Sequence, residues 1–126
     1  NACFYCGEKL TGKKVEVDHF IPWSRYPVDL GHNFVLADAT CNRNKSDMLA
    51  AATHLEHWVH QVQRSPAELQ KAFAELKTPM NLERSARIVN WAYSRDSERK
   101  AMTWLRGTET QRLDEGWHVA LLALLN

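Results

Sequence analysis

The pattern of apolar and polar residues divides the chain into a short strand-like part and a longer helix-like part. Lys14–Val17 alternates polar and apolar positions, which predicts a short strand just before Asp18-His19. The apolar run 34–36 predicts a second strand. Farther along, apolar residues recur at helical spacing. They predict one apolar helix face, formed by Met48, Ala52, Leu55, Val59 and Val62.

The helical pattern continues towards the end of the chain and predicts three further helices. Residues 65–68 form a capping box with proline at the first helical position, which starts a helix whose inward face is Leu69, Ala72, Phe73 and Leu76. A long helix is expected over Met80–Arg106 and is stopped by Gly107, unless it breaks near Ser94–Asp96. The last helix carries Leu113, Trp117, Ala120, Leu121 and Leu124.

Length and composition fit one ordinary globular domain. The chain has 126 residues, of which 44% are hydrophobic and 25% charged. Its formal net charge of +1 means that any nucleic-acid surface depends on local segregation of charge. No apolar run is long enough to span a membrane, so none is expected to do so. Because the chain begins at Asn1 without a methionine, we expect it to be part of a longer protein.

The residues that could carry chemistry cluster in the first part of the chain. Asp18-His19 follows the first strand, Asn33 precedes the second, and Asn42 follows it, with Arg43 and Lys45 close behind. These side chains offer a metal ligand, a proton acceptor, an orienting amide and phosphate-facing charge. Together they are the groups needed to cleave a phosphodiester bond.

These motifs resemble a known family. Val17-Asp18-His19, Asn33-Phe34-Val35-Leu36 and Cys41-Asn42-Arg43-Asn44-Lys45 resemble the HNH nuclease signature, the ββα-metal site. The spacings from His19 to Asn33 and from Asn33 to Asn42 are similar to those in the HNH domain of RNA-guided CRISPR effector nucleases. The run Cys3-Phe4-Tyr5-Cys6 is similar to the zinc-bearing HNH subgroup. The resemblance covers residues 3–48.

The resemblance implies a role for each of four residues. Asp18 would bind a divalent metal, and His19 would deprotonate the attacking water. Asn33 would lock the loop after His19 through amide bonds to the backbone. Asn42 stands where the commonest form of the family has histidine, and its carbonyl oxygen beside a carboxylate favours Mg²⁺ or Mn²⁺. Neighbouring strand residues point to opposite faces, so a bulge or the start of the loop is expected at Asp18-His19.

A structural zinc site is also expected. Three cysteines are an odd number, which argues against a disulfide framework and favours metal or thiol chemistry in a reducing compartment. Cys3, Cys6 and Cys41 would supply sulfur, and Asp38 stands where the fourth cysteine usually lies. His32 or a later histidine is an alternative fourth ligand. A second alternative is that Asp38 only caps a helix and that no zinc binds.

Nucleic-acid contacts are expected at two places. Arg25, Arg43 and Lys45 lie near the site residues and could face phosphates. On the long helix, arginines and one tryptophan share an arc and form a candidate track for a DNA backbone: Arg84, Arg87, Trp91, Arg95, Arg99 and Arg106. The favoured alternative is an ordinary solvated helix face. A row of histidines (His54, His57 and His60) drifts off one helix face and is not expected to bind metal.

The sequence therefore predicts an α+β protein with an HNH nuclease core over residues 1–48 and a helical extension over 49–126. The expected function is hydrolysis of DNA with catalytic Mg²⁺ or Mn²⁺ and structural Zn²⁺. The resemblance implies products with 5′-phosphate and 3′-hydroxyl ends and a bacterial or phage cytoplasmic setting, and we expect targeting by other parts of the parent protein. The alternative is a catalytically silent zinc module that binds nucleic acid or protein.

Overall fold

The computed structural model describes residues 2–11, 14–26, 31–64 and 81–125. Two strand pairs and several helices alternate along these residues. In chain order they are β1 Val15–His19, a 3₁₀ turn Gly31–Asn33, β2 Phe34–Asp38, α1 Ala39–Lys45, α2 Ala52–Arg64, α3 Leu82–Glu98, β3 Met102–Arg106, β4 Glu109–Arg112, a 3₁₀ helix Trp117–Leu121 and a short helix Leu122–Leu125. The fold belongs to the α+β class, as the sequence predicts.

The first three major elements form a ββα unit. β1 and β2 pair antiparallel in regular register, from Val15 opposite Asp38 to His19 opposite Phe34. α1 starts directly after β2 because Asp38 caps it: the Asp38 carboxylate accepts a hydrogen bond of 2.7 Å from the backbone N–H of Cys41. The predicted order of two strands and a helix is therefore present.

The apolar core lies between the ββα unit and α2. Leu55, Val59 and Val62 of the predicted apolar face are buried in α2, as expected. Trp58 of the same helix stacks on Phe20 with ring centroids 5.7 Å apart. Phe20 directly follows β1, so α2 packs against the end of the strand that carries the candidate site.

The prediction of one helix over Met80–Arg106 is wrong at its C-terminal end. α3 stops at Glu98, and Lys100 adopts a left-handed backbone with φ of 54° that turns the chain away. The following residues form β3, where Trp104 bonds through its backbone to Leu49 and Ala51 at 2.8 Å each. These contacts with a distant segment outweigh helical periodicity, and the segment after α3 becomes a β-hairpin.

The end of the chain also differs from the prediction. Instead of one helix from Leu113 onward, a 3₁₀ helix covers Trp117–Leu121 and continues as the short helix Leu122–Leu125. Leu121 is fully buried, and the Trp117 ring stacks on Tyr93 of α3 at 5.9 Å, so the tail is anchored on α3. The predicted helix after Ser65 lies outside the described residues.

Among the described residues, no helix combines the length and apolar character needed to cross a bilayer.

Candidate active site and thiol cluster

Asp18 faces the inside of the ββα unit. Its side chain is largely buried, and its Oδ2 atom accepts a hydrogen bond from the Tyr5 hydroxyl. The Nζ atom of Lys45 lies 3.5 Å from the same oxygen. Burial and the nearby Asp18 charge raise the pKa of Tyr5 well above its usual range, so the phenol remains a hydrogen-bond donor.

Lys45 is a buried partner of Asp18, which corrects the prediction that it faces a phosphate. Its side chain is 0% exposed, and Nζ donates to the backbone carbonyl of His19 at 3.2 Å. Burial lowers the pKa of Lys45, while the neighbouring Asp18 carboxylate acts in the opposite direction. The amine therefore helps to hold the end of β1.

His19 is the last residue of β1 and lies on the opposite strand face from Asp18. The register stays regular through His19 and the strand ends there, so of the two expected features the start of the loop is present and a bulge is not. The imidazole is half-buried, with its ring centroid 4.9 Å from that of Phe34 and 5.8 Å from that of Trp23. Asp18 and His19 thus point to opposite faces of β1, and the chain leaves the sheet directly after His19.

Asn33 braces the loop that follows His19. Its Oδ1 accepts a hydrogen bond from the backbone N–H of Ile21 at 2.7 Å, and its Nδ2 donates to the Ile21 carbonyl at 2.9 Å. The backbone carbonyl of Asn33 also accepts from the N–H of Phe20 at 2.7 Å. These are amide-to-backbone bonds of the expected kind, and they define the direction in which the chain leaves His19.

Asn42 pairs with a carboxylate that the sequence analysis missed. Its Nδ2 donates to Oε1 of Glu16 at 2.7 Å. Glu16 and Asp18 are two positions apart on β1, so both face α1, where Asn42 and Lys45 are their partners. The alternation of β1 was the signal that could have identified Glu16 from the sequence.

An open groove of about 480 Å³ runs beside this pair and includes two basic side chains, Lys14 and Arg43. Arg43 is exposed, as a phosphate contact must be. Lys14 is 79% exposed and lies 3.9 Å from Glu16. Sequence reasoning missed Lys14, which joins the site only through the fold.

Oxygen-donor side chains lie along the strand and the helix that border the groove. Glu16 and the amide of Asn42 line it, and Asp18 lies two positions from Glu16 on the same face of β1. Mg²⁺ and Mn²⁺ prefer carboxylate and amide oxygens, whereas softer ions prefer nitrogen and sulfur.

A second group of candidate metal ligands lies around the C-terminal end of β2. The ligand atoms of Cys3, Cys6, Asp38 and Cys41 all lie within 4.8 Å of one another. In a tetrahedral zinc site with Zn–S bonds of about 2.3 Å, ligand atoms are about 3.8 Å apart, so these four side chains are near enough to one another to share one ion after small side-chain movements. Gly7 has φ of 78° and lets the chain turn tightly after Cys6.

The electrostatics of the thiol cluster also suit a cation. Burial raises the pKa of Cys41, and the neighbouring thiol of Cys3 adds to the shift. Burial likewise raises the pKa of Cys6, whose Sγ lies 3.2 Å from Asp38 Oδ2. The backbone N–H of Cys41 lowers the pKa of Asp38 and keeps it anionic. A bound cation favours the thiolate forms that this cluster otherwise disfavours.

The histidines considered as ligands lie outside the thiol cluster. His32 is buried with Nδ1 unpartnered within the described part of the chain, and burial lowers its pKa. His54 bonds to the Leu105 carbonyl at 2.7 Å, and the His57 ring stacks on Phe4. His60 is exposed on α2. Asp38 is therefore a better fourth ligand than His32.

The arginines predicted to contact nucleic acid have different surroundings. Arg25 forms an ion pair of 2.8 Å with Asp96, and its side chain stays 27% exposed, so its contact with a phosphate stays a prediction. Arg99 also reaches Asp96, at 3.2 Å, but stays more than half exposed. Arg87 and Arg95 are exposed on α3, each with one contact along the helix.

The arginine track of α3 is shorter than the sequence suggested. Arg84, Arg87, Trp91 and Arg95 recur at helical spacing and are all exposed. The guanidinium carbon of Arg95 lies 5.4 Å from the centre of the Trp91 ring. Arg106 belongs to β3 and not to this helix.

Comparisons with known proteins agree with this geometry. The model of the HNH endonuclease family matches residues 3–51, which span the thiol cluster, the β-hairpin and α1. No curated protein and no solved structure matches the chain. The family consists of nucleases that act on nucleic acid with divalent metals. The segment of residues 3–51 therefore belongs to the HNH endonuclease family.

Proposed function

We propose that the protein is a metal-dependent endonuclease that hydrolyses phosphodiester bonds of DNA. The observation that carries the proposal is the shared face of β1 and α1. Glu16 and Asp18 on the strand meet Asn42 and Lys45 on the helix, and His19 follows Asp18 directly. Glu16 and Asn42 thereby line an open groove that includes basic residues, and the imidazole of His19 stands at the end of the same strand.

Each residue then has a distinct role. His19 accepts the proton of the attacking water, because imidazole is the side chain that most often serves as a general base in proteins. Asp18 and Asn42 would hold Mg²⁺ or Mn²⁺, which supplies charge stabilisation at the phosphate and at the departing 3′ oxygen. Asn33 holds the loop after His19 through its two bonds to Ile21.

Backbone contacts to DNA are assigned to the basic groups that remain exposed. Arg43 and Lys14 line the groove beside Asn42 and are suited to the phosphates next to the cleaved bond. Arg87 and Arg95 on α3 form a second, more distant contact. With a net charge of only +1, the chain has little general attraction for DNA, which supports targeting by other parts of a parent protein.

The thiol cluster is proposed to hold structural Zn²⁺ through Cys3, Cys6, Asp38 and Cys41. The three cysteines are free thiols. This state supports a reducing compartment, and we assign the protein to a bacterial or phage-infected cytoplasm.

The proposal is tested with supercoiled plasmid in the presence of Mg²⁺, Mn²⁺ or EDTA. The parent protein should cut with either ion and stop in EDTA. His19→Ala should lower the rate by about 10²–10⁴ with Mn²⁺ binding unchanged, since it removes the base and leaves the ligands. His60→Ala is the matched control, because His60 is an exposed histidine of α2.

Two further variants distinguish the proposed metal ligands from the proposed general base. Asp18→Asn should weaken Mn²⁺ binding itself, and Asn42→His should shift the preference towards softer ions such as Ni²⁺. If His19→Ala cuts like the parent protein, the mechanism is wrong for this chain. A zinc-loaded parent protein that binds DNA without cutting it under any metal condition would favour the silent binding module.

A further inference from the structure

One side chain links the thiol cluster to the candidate cation site at Asp18. Tyr5 lies inside the thiol cluster segment, between Cys3 and Cys6, yet its hydroxyl donates to Oδ2 of Asp18. The hydrogen bond joins residues 13 positions apart and is buried. A group that is anchored by the cysteines thus contacts the carboxylate assigned to the catalytic cation.

The ring of Tyr5 is held in place by aromatic neighbours on several sides. It meets Phe4, His54 and Trp104 edge-on, with centroids 5.1, 5.3 and 5.2 Å away. The backbone N–H of Phe4 donates to the carbonyl of Leu36 in β2 at 2.8 Å. Because ring and backbone are both fixed, the hydroxyl presents Asp18 with a donor in one defined position.

Asp18 receives two donors on the same oxygen. Tyr5 and Lys45 both contact Oδ2, so a cation bound through Oδ1 need displace neither of them. Hydrogen bonds of this kind orient ligating carboxylates and change metal affinity substantially. Lys45 comes from α1, which also carries Cys41, whereas Tyr5 lies between Cys3 and Cys6, so both donors are tied to the thiol cluster and Tyr5 is the one that a single hydroxyl deletion can test.

We infer that Tyr5 is a positioning residue that couples the thiol cluster to the cation site at Asp18. The inference rests on the proposed role of Asp18 as a metal ligand. Zinc held by Cys3, Cys6, Asp38 and Cys41 keeps the segment 3–6 in the conformation that places the hydroxyl on Asp18. Loss of zinc releases that segment and weakens cation binding, so the nuclease depends on the zinc occupancy of its own thiol cluster.

The test measures Mn²⁺ affinity by electron paramagnetic resonance of free Mn²⁺, independently of cleavage. Tyr5→Phe keeps the ring and removes only the hydroxyl, and it should bind Mn²⁺ about tenfold more weakly while retaining zinc. The matched control is Tyr93→Phe, since the Tyr93 hydroxyl is also buried but donates to the Ala50 carbonyl. Tyr93→Phe should bind Mn²⁺ like the parent. Parental Mn²⁺ affinity in zinc-loaded Tyr5→Phe would overturn the inference.

Removal of zinc is the second test of the coupling. A chelator that strips zinc should weaken Mn²⁺ binding in the parent protein and have a clearly smaller effect in Tyr5→Phe, because the connecting group is already absent. By reciprocity, Mn²⁺ should raise the zinc affinity of the parent by the same factor. Equal losses of Mn²⁺ affinity in both proteins would show that the cluster does not act through Tyr5.

A measurement on the unsubstituted chain covers the case in which Tyr5→Phe does not fold. In protein labelled with 3-fluorotyrosine, Mg²⁺ should shift the ¹⁹F resonance of Tyr5 and leave that of Tyr93 unchanged. An unshifted Tyr5 resonance at saturating Mg²⁺ would overturn the inference. Asp18→Asn keeps the two ideas distinguishable: if it binds Mg²⁺ like the parent, the proposed ligand role of Asp18 fails, whatever Tyr5 does.

Discussion

The guanidinium of Arg25 and the carboxylate of Asp96 form an ion pair of 2.8 Å across 71 positions of the chain. Asp96 lies on α3 and is fully buried, while Arg25 lies in the loop after His19. The Nε atom of Arg25 also donates to the Asp47 carbonyl at 3.3 Å. One side chain thus ties the loop beside the candidate base to α3 and to the segment after α1.

The ion pair should make a large contribution to stability. Arg25→Ala is expected to lower the free energy of unfolding by about 3 kcal/mol, because a buried carboxylate loses its nearest cation. Arg87→Ala is the control, since Arg87 and Glu83 form an exposed pair at 3.7 Å, and it should cost less than about 0.5 kcal/mol. Urea unfolding measures both values. Equal losses in the two variants would mean that the Arg25 pair is no more than a surface contact.

Zinc in the thiol cluster gives a second prediction. The purified protein should contain about one equivalent of zinc, and removing it should lower the melting temperature, because metal binding contributes to folding in small sites. Asp38→Ala should weaken zinc binding and also remove the cap of α1, to which Asp38 contributes a bond of 2.7 Å. Asp38→Asn is the useful companion variant because it can keep the cap while losing the charge.

Elemental analysis and competition with a chelator measure the zinc. Folded protein free of zinc would contradict the site. If zinc affinity survives both Asp38 variants, the fourth ligand lies elsewhere.

The arginine track on α3 predicts a salt effect. Replacing Arg84, Arg87 and Arg95 together with alanine should weaken DNA binding and flatten its salt dependence by about one unit of slope per lost phosphate contact. All three are exposed on one helix face. Arg112→Ala serves as control, because Arg112 is exposed on β4 and outside this face. An unchanged slope in the triple variant would identify the helix face as merely solvated.

Buried histidines predict a loss of stability in mild acid. Burial lowers the pKa of His32 and of His54 below the ordinary value of 6.5. Well above pH 6.5 both histidines are neutral in the folded and the unfolded chain, so they do not make the free energy of unfolding depend on pH. As the pH falls below that value, the unfolded chain takes up protons that the folded chain does not, and stability falls with a limiting slope of about 2.7 kcal/mol per pH unit for two groups.

Urea unfolding between pH 7 and pH 5.5 tests the histidine effect. His54→Gln should remove part of the slope, since glutamine can still donate to the Leu105 carbonyl but does not titrate. Comparing the variant with the parent isolates His54, because the pH dependence of zinc binding is common to both. A slope identical to that of the parent would assign the acid sensitivity to other groups.

The ββα core could be predicted from the sequence because its information is local. Alternation over a few residues determines β1, and a cap three residues before Cys41 starts α1. The bracing of Ile21 by Asn33 depends on a short loop and followed from the motif. The family match over residues 3–51 agrees with these local signals.

Tertiary structure decided what lies beyond the motif. Lys45 looks like a surface cation on helical spacing, and only the packing of α1 on β1 buries it against Asp18. Helical periodicity predicts a helix that continues beyond Glu98. Backbone hydrogen bonds between Trp104 and both Leu49 and Ala51 instead make the segment after α3 a strand.

The sequence by itself thus determined which residues are the candidates for the chemistry: their types and spacings indicate the candidate base, the candidate oxygen ligands and the thiol cluster. Only the tertiary structure showed that Tyr5 connects the cluster to Asp18 and that Arg25 connects the loop to Asp96. The physical reason is that a hydrogen bond or ion pair between distant segments depends on how whole elements pack. Short-range propensity and periodicity contain no information about that packing.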